Sequence, residues 1–199
     1  MEYITSDLHL NHDKVCGPDG FVPTRTHFDS VEEMDSYLIQ AHNSVVNEYD
    51  VLYHLGDFSF NISREKVFEI LNNMNGQIHF IKGNHDGQSI LNYLNSNNYE
   101  LKKGMNKFVT HEIGLIVKRN KKIYHLTHYP LNVGEGRSQL RSLCGHIHEK
   151  PAEQANILNV GIDSPELPEG HRFGVPLRFD VACQLVEDKI KRFHKKVDI

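Results

Sequence analysis

The chain has 199 residues, 39% of them hydrophobic and 24% charged, with a formal net charge of −4 at pH 7, which fits one globular domain over residues 1–199 with a sizeable core. The acidic balance argues against a protein that coats extended nucleic acid through bulk electrostatics, so any affinity for phosphate has to be local. No run approaches the ~20 apolar residues of a membrane span, the N-terminal MEYITSDLHL has no basic region followed by a long apolar segment, and Cys16, Cys144 and Cys183 form no CxxC, so a soluble, unprocessed, cytoplasmic protein with no membrane partner is expected.

Glu2 to Ser6 reads as a short strand. Residues 11 to 29, which include CGPDG, make a connection too long for an ordinary turn, of the kind that is often functional or mobile. Ser30-Val-Glu-Glu33 resembles a capping box opening an amphipathic helix through about Val46. Val51 to Leu55 is a second strand; Ser63 begins a helix with Val67, Ile70, Leu71 and Met74 on one face, ending near Asn75-Gly76; Gln77 to Ile81 is a third strand, followed by a short helix over Ser89 to Leu94. This alternation predicts parallel strands joined by right-handed crossovers, with the loops after each strand gathered at one sheet edge. Further on, Lys107 to Val117 and Lys122 to Thr127 read as antiparallel strands of a second sheet, with Leu143-Cys144 and Ile157 to Val160 as short additions. Asp180 is the expected cap of a terminal helix with Val181, Leu185, Ile190 and Phe193 inward.

The chain holds 14 histidines, and several sit with aspartates in short polar clusters just past the apolar runs. Asp7-Leu-His9 follows the first strand, Gly56-Asp57 the second and Gly83-Asn84-His85-Asp86 the third; His128 follows Ile123 to Thr127, and Gly145-His146-Ile-His148 follows Leu143-Cys144. Residues i and i+2 of an extended chain point the same way, so Asp7 with His9, and His146 with His148, could each present two ligands to one locus. The preceding glycines would let the backbone turn sharply or approach closely. Carboxylate, imidazole and amide oxygen suit Mn, Fe, Zn, Ni or Co, whereas calcium is disfavoured by so many histidines.

DxH, GD, GNHD, H and GHxH in this order closely resemble the calcineurin-like metallophosphoesterase superfamily, over Asp7 to His148. The stretches HFDSVEEMD and VLYHLGDF are also similar to its small prokaryotic and phage members. The resemblance implies an α/β fold, a four-layer α/β/β/α sandwich of two mixed sheets flanked by helices. It implies two divalent transition metal ions, manganese foremost, with Asp7, His9, Asp57 and His148 on one, Asp57, Asn84, His128 and His146 on the other, and Asp57 bridging. Ions roughly 3.5 to 4 Å apart would activate a shared hydroxide as nucleophile. His85 would be catalytic without being a ligand, protonating the leaving oxygen or stabilising phosphoryl charge, and Asp86 would orient it.

The activity implied is hydrolysis of small phosphate esters, chiefly phosphodiesters such as cyclic nucleotides. His12, Arg25 and His27 in the long connection, and Arg137 and Arg141 beside the Gly-rich stretch Asn132 to Arg137, are candidate substrate contacts. His42, His79, His171 and His194 are expected at the surface or in hydrogen-bonded packing. Two other readings stand beside this one: a nuclease acting on short nucleic acid, and a catalytically inactive binding scaffold.

Overall fold

The first half of the chain alternates strand and helix, as its periodicity predicts. In the computed structural model, which describes residues 1–134 and 137–197, Glu2–Thr5 (β1), Val51–His54 (β2) and Gln77–Ile81 (β3) pair in parallel. The helices Val31–Asn43 (α1), Arg64–Asn73 (α2) and Gln88–Ser96 (α3) intervene. At the start of α1 the Ser30 hydroxyl accepts from the Glu33 N–H (3.1 Å), and the Glu33 carboxylate reaches back to the N–H of Asp29 rather than of Ser30 (2.8 Å). That helix stops at Asn43, short of Val46.

Side-chain alternation along these strands divides the interior in two. Tyr3, Leu52, Ile78 and Phe80 face the helices and pack with Met34, Leu38, Val67, Leu71, Leu91 and Leu94. Ile4, Tyr53, Leu55 and Ile81 face the other way, into a core shared with Val117, Tyr124, Leu126, Leu143 and Leu158. The second core lies between the two sheets, which is what places the loops of both around one site.

After a two-stranded excursion, Glu100–Lys102 (β4) with Met105–Asn106 (β5), the segment expected as one strand over Lys107–Val117 proves to be two strands in different sheets. Phe108–His111 (β6) extends the first sheet parallel to β3, and Gly114–Arg119 (β7) joins the second, antiparallel to Lys122–Thr127 (β8). The polar Thr110-His111-Glu112 interrupts the apolar run between β6 and β7, which bury Phe108 and Val117 in different cores. What separates them is anchorage: the Lys107 ammonium, 2% exposed, donates to the carbonyls of Met74 and Gly76 and ties the start of β6 to the end of α2. Asn120 and Lys121, with φ of 48° and 62°, form the tight hairpin turn between β7 and β8.

Leu140–Cys144 (β9) and Ile157–Asn159 (β10) complete the second sheet in the order β10-β9-β8-β7, and Leu177–Arg178 (β11) closes the first as β11-β1-β2-β3-β6. Both sheets are mixed, and helices flank them as expected. The terminal helix Phe179–Val197 (α4) crosses the edge where β1, β11 and β10 come together. It begins at Phe179, so Asp180 lies inside its first turn rather than capping it, and the inward stripe is Phe179, Ala182, Cys183 and Val186. Val181 and Leu185 flank that stripe, while Phe193 is 43% exposed. Among the described residues no helix is long and apolar enough to cross a membrane.

Candidate metal centre

The chain leaves β1 and β2 side by side. The N–H groups of Asp7, His9 and Leu10 donate to the carbonyls of Gly56, Asp57 and Phe58, each at 3.0 Å, so the two loops prolong the parallel ladder past the strands. Leu8 and Leu10 are buried, and these apolar anchors leave the polar residues between them facing one locus.

The polar residues do not converge by the extended i, i+2 geometry expected from sequence. Asp7, His9, Asp57, His146 and His148 are all left-handed, with φ of 61°, 51°, 51°, 69° and 46°. Each such non-glycine residue costs on the order of 1–3 kcal/mol and persists only where its surroundings impose it. Here they do: the His146 N–H donates to both oxygens of Asp7 (3.1 and 3.0 Å), and the His85 N–H to Asp57 Oδ1 (2.8 Å). Close approach also explains two glycines, since a Cβ on Gly83 would fall on the backbone and carboxylate of Asp57, and one on Gly145 would collide with Ser6 and Asp7.

Three groups of side chains have ligand-capable atoms all within 4.8 Å of one another: Asp7, His9 and His148; Asp57, His128 and His146; and His9, Asp57 and His85. Asp57 Oδ2 lies between them, 3.6 Å from His9 Nε2 and 3.4 Å from His128 Nε2. Asn84 Oδ1 adds an oxygen 2.8 Å from His128 Nε2. His128 Nδ1 donates to the Leu55 carbonyl at 2.9 Å, which leaves Nε2 facing the amide oxygen and the Asp57 carboxylate. His9 is 2% exposed, and neither of its ring nitrogens has a hydrogen-bond partner. Buried polar atoms are normally satisfied, so the unpartnered His9 ring fits a residue shaped to hold a cation.

The electrostatics divide the histidines: burial would lower His128 and His148, but Asp57 beside the first and Asp163 and Asp7 beside the second outweigh it and raise both, whereas His9 is lowered. Burial drives His9 down to about 3, with the Arg25 charge adding to it, so the imidazole is neutral and free to ligate. Burial pushes Asp7 up to about 6, partly opposed by His148 and His128. Burial would also raise Asp57, but the hydrogen bond and charge of His128 and the His85 N–H outweigh it and hold that carboxyl at about 2.

Behind the centre, Arg25 is wholly buried: its guanidinium donates to the carbonyls of Leu8 (2.7 Å) and Asp7 (2.6 Å) and grips both oxygens of Asp163 (3.0 and 2.6 Å). Arg25, expected as a substrate contact, is therefore a brace. Asp163 in turn lies 3.1 Å from His148 Nδ1, which fixes that ring's proton and leaves Nε2 for the centre. Asn159 holds the same loop through the carbonyls of His148 (2.7 Å) and Lys150 (3.1 Å). Asp163 is a residue that sequence reasoning missed. Its signal was one more polar cluster, Gly161-Ile-Asp163-Ser, just past the strand over Ile157 to Val160.

Asp86, expected to orient His85, spends its carboxylate elsewhere, accepting from the N–H groups of Asp57 (2.8 Å), Phe58 (3.2 Å) and Gly83 (2.9 Å). It welds the Asp57 loop to the Gly83 loop, and burial pushes its carboxyl up to about 7 despite those donors. The His85 ring is instead set edge-on to His9 (5.4 Å) and Phe60 (5.3 Å), with Nε2 4.0 Å from Asp57 Oδ2.

Of the remaining substrate candidates, His12 stands at the centre, stacked on Phe60 at 4.0 Å with its ring 6.4 Å from that of His85. His27 is exposed and packs on Phe28 and Phe173. Arg141 is buried in a two-bond ion pair with Glu187 (2.6 and 2.9 Å), and Arg137 lines a groove with Arg141, Lys122 and α4, at the end of β8 away from His128. None of these three contacts the centre. Glu135 and Gly136 of the Gly-rich stretch lie outside the described residues. His42, His79 and His171 are hydrogen-bonded in packing, to the Asn75 carbonyl, His111 and the Val175 carbonyl respectively.

The profile of the calcineurin-like phosphoesterase superfamily domain matches residues 3–172. Among curated relatives, the uncharacterized protein MJ1445 of Methanocaldococcus jannaschii is 40% identical over 88 residues, which is 42% of this chain and 46% of that protein. The Gene 66 protein of Mycobacterium phage L5 is 33% identical over 92 residues, 45% of this chain and 42% of that one. The chain thus spans under half the length of the curated relatives it matches. The crystal structure of the protein of unknown function AQ665 from Aquifex aeolicus superposes with a TM-score of 0.62 at 18% identity, covering 93% of this chain and 98% of that one, a likeness of fold.

Proposed function

Because the chain belongs to the calcineurin-like phosphoesterase superfamily, we propose that it is a metal-dependent phosphoesterase that hydrolyses small phosphate esters at a two-ion centre, with diesters preferred. The observation that carries this is the position of Asp57: one carboxylate oxygen reaches toward His9 on one side and His128 on the other, as a ligand shared by two ions must.

Asp7, His9 and His148 with Asp57 would hold one ion, and Asn84, His128 and His146 with Asp57 the other. Fe, Zn, Ni or Co suit this imidazole-rich donor set, and manganese is the ion that the family resemblance puts foremost. Bound there, divalent ions would supply charge to grip phosphoryl oxygens and make a water acidic enough to attack phosphorus near neutral pH. Around them the residues of the chain have separate tasks. Arg25 and Asp163 fix the rings and backbone that define the site. His85, 38% exposed at its side chain, stands where it can give a proton to the departing oxygen, and His12 sits beside it.

Diesters are favoured because two clefts open at the centre. One of about 430 Å³ runs from Asn84 and His128 toward Tyr129, and another of about 450 Å³ runs from His146 and His148 toward Phe21. A monoester has one organic arm to place and a diester two; a cyclic nucleotide or a short linear diester fits this division. The net charge of −4 supports small substrates over extended nucleic acid. Hydrolysis of bis-p-nitrophenyl phosphate, abolished by EDTA and restored by Mn²⁺, is the test; a metal-replete protein inert toward diesters and monoesters alike would refute the reading.

A further inference from the structure

Tyr129 directly follows His128, and its ring meets two imidazoles edge-on, His128 at 5.1 Å and His146 at 4.5 Å. The residue is nonetheless 54% exposed, and among the described residues its hydroxyl has no hydrogen-bond partner. The same cleft is bordered by Ile113, 82% exposed, at the point where the chain passes from β6 to β7. Neither residue packs in a core. An exposed aliphatic and an exposed aromatic side chain bordering one cleft beside a cluster of aspartates and histidines offer apolar surface that a ligand would remove from water. The rest of the rim is polar: Lys82 and Glu112 are linked through Gln88, whose amide meets the lysine at 3.4 Å and the glutamate at 3.1 Å. A donor and an acceptor thus stand in a largely polar cleft whose apolar side chains are Ile113 and Tyr129 and which opens on Asn84 and His128.

Resting on the phosphoesterase reading, we infer that the cleft between Tyr129 and Ile113 is a nucleobase subsite, and that the preferred substrate is a phosphodiester with a nucleoside on this side of phosphorus. A planar base suits that lining: it can stack on the Tyr129 ring, meet Ile113, and turn its polar edge to Lys82 and Glu112. Stacking of this kind tolerates different bases, because each of them offers a π face. Tyr129 and Ile113 would then determine specificity without taking part in the chemistry.

The test keeps the leaving group constant and varies the other arm. Thymidine 5′-(p-nitrophenyl phosphate) and methyl p-nitrophenyl phosphate both release p-nitrophenolate, so the ratio of their kcat/KM values reads the nucleoside alone. In the wild type with Mn²⁺ the ratio should favour the nucleoside ester by on the order of 10- to 100-fold. It should collapse toward unity in Tyr129→Ala, fall in Ile113→Asp, and survive in Tyr129→Phe. Any general damage from losing a ring that touches two ligands cancels in the ratio. Calorimetry gives a readout without turnover: AMP should bind more tightly than inorganic phosphate by a similar factor, and Tyr129→Ala should erase the difference. Equal kcat/KM for the two esters in the wild type, or a preference undiminished in both Tyr129→Ala and Ile113→Asp, would overturn the subsite while leaving phosphoesterase activity intact. Failure to cleave either ester would instead sink the underlying reading, and equal affinity for AMP and phosphate would sink the subsite with it.

Discussion

Asp163 Oδ2 lies 3.1 Å from Nδ1 of His148, and both oxygens of the same carboxylate are gripped by the wholly buried Arg25. This carboxylate does two things at once: it sets the proton of an imidazole at the centre, and it neutralises a cation that has no access to water. Burial would raise its pKa, but Arg25, His148 and Thr24 hold it well below the usual carboxylate range. Asp163→Asn should therefore weaken metal binding by about 10- to 100-fold, with partial recovery of activity in excess Mn²⁺. It should also destabilise the protein by on the order of 3–5 kcal/mol, since Arg25 is left buried without its counter-ion. Metal titration and urea unfolding in EDTA measure the two effects separately. A variant of unchanged metal affinity would show that His148 does not depend on Asp163.

His85 and Asn84 are neighbours with different surroundings. Asn84 Oδ1 faces His128 Nε2, whereas the His85 ring lies near His9 and Phe60. Asn84→Ala should lose activity that excess Mn²⁺ partly returns. His85→Ala should keep its metal and lose ~10²- to 10⁴-fold in turnover with a poor alkoxide leaving group. The loss should be smaller with p-nitrophenolate if His85 acts mainly as an acid. Because His9, Asp57 and His85 also have atoms within 4.8 Å of one another, metal content decides the matter. A His85→Ala protein that loses an ion and is rescued by Mn²⁺ would make His85 a ligand.

Much of this centre could be read from sequence because its parts share one signature, a short cluster of Asp, Asn or His directly after an apolar run. The parallel β1, β2 and β3 then bring those clusters to one edge. The supporting residues carry that mark faintly or not at all. Asp163 follows the strand over Ile157 to Val160, but in a cluster with a single carboxylate and no histidine, and Arg25 sits in a long polar connection where exposure is the default; its burial depends on the carbonyls of Asp7 and Leu8, contacts made by tertiary structure. Adjacency in sequence makes Asp86 the expected partner of His85, but three backbone N–H groups from two loops outcompete that ring. The left-handed backbone at five positions of the candidate metal centre was equally invisible, since nothing in DxH or HxH distinguishes it from extended chain. Tertiary anchorage also explains the strand break at Glu112-Ile113, where Lys107 commits β6 to the first sheet.

That same lysine offers a stability test remote from the centre. Burial holds the Lys107 ammonium at about 8, against an ordinary value of 10.5. Between those pH values the unfolded chain keeps the proton and the folded chain releases it, so stability gains as pH rises through the window. Measured against Lys107→Met, the wild type should be relatively more stable at pH 10.5 than at pH 8 by up to about 3 kcal/mol, with no relative change below pH 7. Urea denaturation of both proteins across pH 6 to 10.5 checks this, and a difference independent of pH would show that Lys107 stays charged throughout.

The account rests on Asp57 serving two ions, and the most direct measurement is metal stoichiometry under metal-replete conditions in the wild type and in Asp57→Asn, by equilibrium dialysis with Mn²⁺ and elemental analysis. Two equivalents per chain should fall to one or fewer in Asp57→Asn, whereas Asp7→Asn should cost one ion and leave the His128 side occupied. Stoichiometry near zero in the wild type, or two ions retained in Asp57→Asn while Asp7→Asn loses both, would contradict it.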